Sequence, residues 1–369
     1  MKKYLLGLCL ALALVGCGEK NEAPKDVEKP TIKIGAQLPL SGEYARIGAA
    51  NQQAIMMALE KWKNLNTKYN YEVVFEDDQM STARAAMVAN KLIASDKVKA
   101  IISTWGIVGP VVANIADQNK VLSMACAGMK EIVTPYYSFN HFTQDDKLAD
   151  KLIPLLKEHN VKSVVLAYTA AAAYDEKAKV MEEKLTENGI NVLAVERYNI
   201  QENDFRISIY KMEQLNPDAY INFVLMPGTP NFIKQFQEIT KGNRMMVGLH
   251  VFNEMPSQYW PMVEGLYSVR DSNGTAEFSR LFKERTQVDN QPCNGNHFDN
   301  LDLLIWAFEN TPVREGETVP NTEDVVKTIQ GIKNWQGAVG EISVDDSGLI
   351  NSEAILEVYK DGKPVIVEK

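Results

Sequence analysis

Along this chain the apolar positions switch repeatedly between a period of two and a period near 3.6. The first clear switch spans Thr31 to Gly48. Ile32, Ile34, Ala36 and Leu38 alternate with Lys33, Gly35 and Gln37, which is strand spacing, and Pro39, Ser41 and Gly42 then break the alternation. Ala49, Ala50, Ala54, Ile55, Met57, Ala58 and Trp62 follow at helical spacing. The chain therefore leaves a strand through a tight polar turn and enters a helix whose first N–H groups lack partners, the place where open α/β sheets bind ligands.

The switching continues. Tyr71 to Glu76 reads as a strand, with Ser81 as the N-cap of a helix through Ala85, Ala89, Leu92 and Ile93. Between them, Glu76-Asp77-Asp78 reads as a solvated strand end, because no further carboxylates follow at calcium-loop spacing. Val98 to Ser103 is a third strand and Thr104 to Gly109 a loop, with Pro110 at the first position of a helix through Val111, Ile115 and Ala116. Val121 to Ala127 is a fourth strand. This alternation predicts a parallel, doubly wound sheet.

After a loop rich in aromatics, Tyr136 to Phe142, a second set begins. It runs through helices at Asp145 to Asn160 and Asp175 to Asn188, the latter closed by Gly189, and strands at Ser163 to Ala167 and Ile190 to Glu196. A helix capped by Asp204, a strand at Ala219 to Leu225, a helix opened by Thr229-Pro230 and a strand at Met245 to Leu249 complete it. Two sets of similar make-up predict two α/β lobes. The tail adds helices at Ala276 to Gln287, His297 to Asn310 and Thr322 to Gly331, a strand at Glu341 to Val344, and a closing hairpin turned by Asp361-Gly362.

Composition narrows the function classes. The 369 residues are 45% hydrophobic and 24% charged, long enough for two domains. The net charge of −9 and the lack of any Lys/Arg run argue against nucleic acid as a partner. Met1-Lys2-Lys3 is a positive segment, Tyr4 to Val15 an apolar one too short to span a bilayer, and Leu14-Val15-Gly16-Cys17 resembles a lipobox. That resemblance implies cleavage before Cys17, lipid modification of its sulfur and anchoring on the outer face of a bacterial membrane; the alternative is an ordinary secretory signal with Cys17 incidental. Residues 18–30 read as a flexible tether. With Cys9 leaving in the signal segment, Cys126 and Cys293 remain. Spacing alone does not pair them: Cys126 reads as a small buried hydrophobe at a strand end, and Cys293, beside Pro292 in a polar loop, as a possible free thiol.

No catalytic constellation is present in the sequence: no phosphate-cradling Gly-rich loop with Lys-Ser/Thr, no His-Glu-x-x-His, no Cys-x-x-Cys and no Gly-x-Ser-x-Gly. His141, His159, His250 and His297 are widely spaced, and His297 and Asp299 cannot face each other on one helix. Neither an enzyme nor a metal or cofactor site is expected.

Four motifs carry a family resemblance. Pro39-Leu40-Ser41-Gly42 followed by Gly48 and an Ala-rich helix opens the chain, and Tyr174 follows the first strand of the second set. Asp204-Phe205 opens a helix that ends in Asn216-Pro217-Asp218-Ala219, and His297-Phe298-Asp299-Asn300 leads into Leu303, Leu304 and Ala307. In this order and spacing they resemble the Leu/Ile/Val-binding type, or type I, of periplasmic solute-binding protein over essentially the whole mature chain. The resemblance implies two doubly wound lobes joined by a hinge crossed more than once, with 31–144 and 272–342 in lobe 1 and 145–271 and 343–369 in lobe 2. It implies a monomer that captures a small organic ligand, an amino acid, amide or organic acid, and hands it to an ABC permease, with the membrane touched through the lipid anchor alone. A ligand-sensing module that presents its closed form to a receptor is the competing reading.

By position, the resemblance puts Tyr44 and Ile47 in apolar contact with the ligand, and Ser103, Thr104, Trp105 and Gly106 with Ala127, Gly128 and Met129 around its carboxylate. Trp105 and Met129 stand where relatives that bind amino acids carry hydroxyls. Trp105 is open to being a cleft wall or core packing, Tyr174 a ligand contact or a surface tyrosine, and Met226 a cleft lining or core filler. The acid that holds the ligand ammonium falls on His250, with Glu254 a little beyond, which points to a less zwitterionic ligand than leucine. Arg46 reads either as a solvated helix-start residue or as a partner for an acidic ligand.

Overall fold

The computed structural model describes residues 29–367 apart from 43, 129–131, 134 and 135, so Cys17 and Met129 lie outside the described residues, as does the Glu254 side chain. The first unit runs β1 (Thr31–Leu38), α1 (Ala45–Lys63), β2 (Asn70–Asp77), α2 (Thr82–Ala94), β3 (Ala100–Thr104), α3 (Trp105–Gln118), β4 (Leu122–Cys126) and β5 (Ser138–His141). The second runs α4 (Asp145–Glu158), β6 (Ser163–Thr169), α5 (Ala172–Glu187), β7 (Asn191–Tyr198), α6 (Arg206–Gln214), β8 (Ala219–Phe223), α7 (Thr229–Thr240), β9 (Met245–Leu249), α8 (Val251–Glu254) and β10 (Tyr267–Arg270). The tail holds α9 (Ala276–Thr286), α10 (Asn294–Asn310), α11 (Thr322–Gln330), β11 (Trp335–Gly337), β12 (Gly340–Val344), β13 (Leu349–Ser352), β14 (Ile355–Lys360) and β15 (Lys363–Ile366).

The two sheets repeat one winding. The first is ordered β2-β1-β3-β4-β5-β13-β12-β11 and the second β7-β6-β8-β9-β10-β14-β15. The five strands of each primary unit are parallel, and antiparallel pairs enter only with the tail strands. In each, the third strand lies beside the first rather than the second, so the connections on either side of that pair run in opposite directions. These are switch points, β1/β3 in one lobe and β6/β8 in the other.

Strand alternation explains how each sheet is covered on both faces. Ile32, Ile34, Ala100 and Ile102 pack with Ile55 and Ala58 of α1 and Leu301, Leu304 and Phe308 of α10, whereas Ile101 packs with Ala89 and Leu92 of α2 and Val108 and Val112 of α3. Each such Ile or Leu, fully removed from water, contributes about 1.5–3 kcal/mol. The second lobe encloses one larger core centred on Val165, Ile221, Phe232 and Phe236. Among the described residues no helix is long and apolar enough to cross a membrane.

Three segments cross between the lobes: 142–144 after β5, 271–275 after β10, and 353–354 between β13 and β14. They are tied at one hydroxyl. Thr143 Oγ1 accepts from the Ser272 N–H at 3.3 Å and lies 2.9 Å from Ser352 Oγ, all three residues buried. A single threonine thus joins the first two crossings to the end of β13, where the third begins.

Several local expectations change. Helix α3 begins at Trp105, directly after β3, and Pro110 lies inside it, its ring standing in place of the N–H that would have met the Gly106 carbonyl. Within the aromatic stretch, Ser138–His141 is strand β5, and β10 was not anticipated. Strand β13, inside the 343–369 span expected for lobe 2, pairs with β5 in the first sheet, so the return to the second sheet starts at β14. The acidic triplet is not a solvated strand end, for Asp78 is wholly buried and Asp77 clamps the turn after β1.

Candidate functional site

The first switch point is held in shape by Asp77. Its carboxylate accepts from the backbone N–H of Leu40, Ser41 and Gln79 at 2.9, 3.2 and 3.0 Å and from the Ser41 hydroxyl at 2.5 Å. Burial opposes ionisation, but these bonds outweigh it and hold the carboxyl below its usual range. Gly48 allows α1 to sit against the turn, since a Cβ there would lie 2.1 Å from the Pro39 carbonyl oxygen. Across the switch point, the Tyr44 and Trp105 rings meet edge to face, centroids 5.4 Å apart. Trp105 opens α3 with φ +63, a left-handed conformation that bulky residues rarely adopt.

Three ties from below fix the two loops beside this pair. Thr104 precedes α3 but does not cap it; its hydroxyl turns inward, 2.6 Å from His297 Nε2. Asn140 brackets Ala127, accepting from its N–H at 3.1 Å and donating to its carbonyl at 2.8 Å. Cys126 forms a disulfide with Cys293 at the start of α10, both residues fully buried, so neither a free thiol nor an unpaired hydrophobe is present here. His297 Nδ1 and His141 Nε2 are buried with no hydrogen-bond partner among the described residues, and burial first of all pushes these imidazoles down, to about 3 and about 4. Both are neutral at physiological pH.

In the second lobe Tyr174, in the first turn of α5, stacks on Phe223 at the end of β8, centroids 6.2 Å apart and 22° between planes. Met226 is half-buried against the second-lobe core. His250, in the left-handed region at φ +64, is the third member of a buried chain of four polar side chains. Lys177 of α5 forms an ion pair with Asp145 at the start of α4, and its Nζ lies 3.1 Å from His250 Nε2. His250 Nδ1 in turn meets the carboxylate of Asp271, in the second crossing segment. Burial would raise the Asp271 carboxyl, but His250 and then Lys177 pull it down to about 2. Lys177 and Asp271 thus engage the two ring nitrogens of His250, one each. Phe142 stacks over His250 at 6.5 Å, and a Cβ on Gly128 would lie 3.4 Å from the Phe142 ring.

Comparison with known proteins settles the family. The family model described as periplasmic binding protein matches residues 31–363. This chain is a periplasmic binding protein of type I. Members are non-enzymatic ligand binders that work outside the cytoplasm, and the structural neighbours include solute-binding proteins of ABC transporters. One neighbour is such a protein from Rhodopseudomonas palustris, solved with 3,4-dihydroxybenzoic acid: TM-score 0.75, 21% identity, covering 92% of this chain and 96% of that one. Another is the leucine-binding protein LivK of Thermotoga maritima, TM-score 0.74, 20% identity, coverage 91% and 98%. A third is LivJ of Streptococcus pneumoniae, solved with isoleucine, TM-score 0.72, 20% identity, coverage 92% and 100%. At these identities the likeness shows the fold alone. No curated protein sequence matches the chain.

Within this periplasmic binding protein the expected site residues fall into two groups. Tyr44, Trp105 and Gly106 gather at the β1/β3 switch point, with Ile47 half-buried one turn into α1. Ser103 and Ala127 are buried beside Thr104 and Cys126 on adjoining strand ends, and Gly128 is exposed. Thr104 is wholly buried, and its hydroxyl is engaged by His297. Tyr174 and His250 come together through Lys177, whose Nζ lies 5.9 Å from the Tyr174 ring centroid. Met226 joins neither set, and Arg46 is exposed with no ion pair among the described residues. Sequence reasoning missed Asn140, Phe142, Asp145, Lys177 and Asp271. For Asn140, Phe142 and Asp145 the signal is the aromatic and polar run that leads from β4 into α4; for Lys177 and Asp271 the sequence offers none.

Proposed function

We propose that this protein captures a small organic ligand between its two lobes and delivers it to an ABC importer of the branched-chain amino acid class, anchored to the membrane by lipid on Cys17 and acting as a monomer. The supporting observation is the pair of matching switch points, each carrying an aromatic pair, Tyr44–Trp105 edge to face and Tyr174–Phe223 stacked, with the strained Trp105 and His250 at strand-to-helix junctions. In this reading Ser103, the backbone of Thr104 to Gly106 and the Ala127–Gly128 segment hold a carboxylate, with Met129 beyond them. Tyr44, Ile47 and Trp105 form the apolar wall of lobe 1, and Tyr174, Met226 and His250 face them from lobe 2. Ligand bridges both walls only when the lobes close, so binding shifts the population toward the closed form that a permease recognises.

The test is a thermal-shift panel of the mature chain against amino acids, aliphatic and aromatic acids and amides. A ligand at a hundred times its dissociation constant adds about 2.7 kcal/mol and raises Tm. A folded protein that responds to no member of the panel refutes the reading. Labelled fatty acid incorporated into the wild type but not into Cys17→Ala checks the anchor separately.

A further inference from the structure

We infer that the second-lobe side of the cleft receives an uncharged oxygen acceptor rather than an ammonium, with Lys177 as the donor; the ligand class is carboxylic acids bearing a carbonyl or hydroxyl oxygen where an amino acid bears its amino group. The inference rests on the reading of the cleft as the ligand site. Both nitrogens of His250 are engaged, Nδ1 by Asp271 and Nε2 by Lys177, so His250 offers a ligand no free acceptor. Lys177 is 6% exposed, and its ammonium has three donors, of which Asp145 and His250 take two. Its Nζ lies over the Tyr174 ring, which keeps the third donor at the aromatic wall of α5.

Charge selects among ligands in the same direction. An incoming ammonium would be set beside the buried Lys177 ammonium, two like charges in a site with little water to screen them. Two carboxylates, Asp145 and Asp271, already lie at this end, so a further full anion is disfavoured there as well. A neutral carbonyl or hydroxyl oxygen accepts from Lys177 without either conflict. Phe142 covers the His250 ring and leaves the aromatic faces for the apolar part of the ligand.

Calorimetric titration of the mature chain with two matched series tests this. One series is leucine, 4-methyl-2-oxopentanoate, 2-hydroxy-4-methylpentanoate and 4-methylpentanoate; the other is phenylalanine, phenylpyruvate, phenyllactate and 3-phenylpropanoate. In at least one series the oxo or hydroxy acid binds at least about tenfold tighter than both the amino acid and the unsubstituted acid, as a hydrogen bond to a charged donor implies. Lys177→Met alone leaves Asp145 buried and unpaired, so the variant used is Lys177→Met with Asp145→Asn. It abolishes the preference over the unsubstituted acid while the affinity for that acid stays within about threefold; a purely structural role would weaken every member alike. An amino acid that binds as tightly as its oxo analogue overturns the inference and leaves the solute-binding reading standing. A preference that survives in the double variant removes Lys177 from the role. A folded protein that binds no member of either series overturns the ligand class, and one that also stays silent across the wider thermal-shift panel overturns the underlying reading.

Discussion

The disulfide between Cys126 and Cys293 closes a loop of 167 residues, and that loop contains almost the whole second lobe. Reduction leaves the folded contacts nearly intact and frees the unfolded chain. For a loop of this length the chain-entropy relation gives about 5 kcal/mol of stabilisation at 25 °C. That figure holds only if both lobes unfold together. If the second lobe stays folded while the first opens, it already holds residues 145 and 271 at fixed separation, the effective loop shrinks to roughly 40 residues, and the same relation gives about 4 kcal/mol. The assay is equilibrium urea unfolding with and without reductant, followed by tryptophan fluorescence. Trp62, Trp105, Trp306 and Trp335 lie in first-lobe elements and Trp260 in the second, so the signal reports chiefly on the lobe that carries the crosslink. With m near 3 kcal/mol/M, the midpoint falls by about 1.5 M on reduction. A loss below about 1 kcal/mol would refute the loop-entropy reasoning and mean that the reduced, unfolded first lobe keeps these segments together by other contacts.

Two further outcomes follow from the support beneath the first-lobe loops. Asn140→Ala orphans both the N–H and the carbonyl of buried Ala127 and destabilises the fold by about 2–4 kcal/mol in urea melts, while weakening whatever ligand the Ala127–Gly128 segment holds. Acidification from pH 6.5 to 4 costs about 3 kcal/mol, read from urea midpoints across that range. His141 and His297, depressed to about 4 and about 3, give stability that is present above pH 6.5 and lost as pH falls toward those values. Asp299, raised to about 7 chiefly by burial, runs the other way, its contribution present at low pH and lost as pH rises through 7, so it cancels one of the two histidine protons. A stability profile flat between pH 6.5 and 4 would count against the buried neutral histidines.

Much of the fold was legible because the strands are short, apolar and bounded by turn residues. Ile32, Ile34, Ala36 and Leu38 all face one cluster, as their alternation implies. What escaped depends on partners far away in sequence. Ser138–His141 is polar at three of four positions and reads as loop, yet it is a buried strand because β4 and β13 flank it and Ser123 Oγ lies 3.0 Å from Ser138 Oγ. Strand β13 falls in the 343–369 span that the resemblance gives to lobe 2, and only its pairing with β5 assigns it to the first sheet. Pro110 pointed to a helix start, a position it favours, but the left-handed Trp105 begins the helix a turn and a half earlier. Local propensity was overruled by what the preceding strand end required.

The candidate site divides along the same line. Residues that belong to it through their own strand-to-helix junction, Tyr44, Trp105, Tyr174 and His250, could be found by position, because switch-point loops always lie at the carboxyl ends of their strands. Residues that belong to it through another element could not. Lys177 is one charged residue in a helix rich in them, and nothing in Tyr174-Asp175-Glu176-Lys177 distinguishes it from a solvated lysine until α4 brings Asp145, β9 brings His250 and the second crossing brings Asp271. The same holds for Cys293 and His297, which look like loop and helix-start residues and are in fact the floor under Cys126 and Thr104. The family resemblance puts the acid that holds a ligand ammonium at His250, and the structure sets His250 in a chain with Asp145, Lys177 and Asp271, brought together from α4, α5 and the second crossing, which no single stretch of the sequence displays.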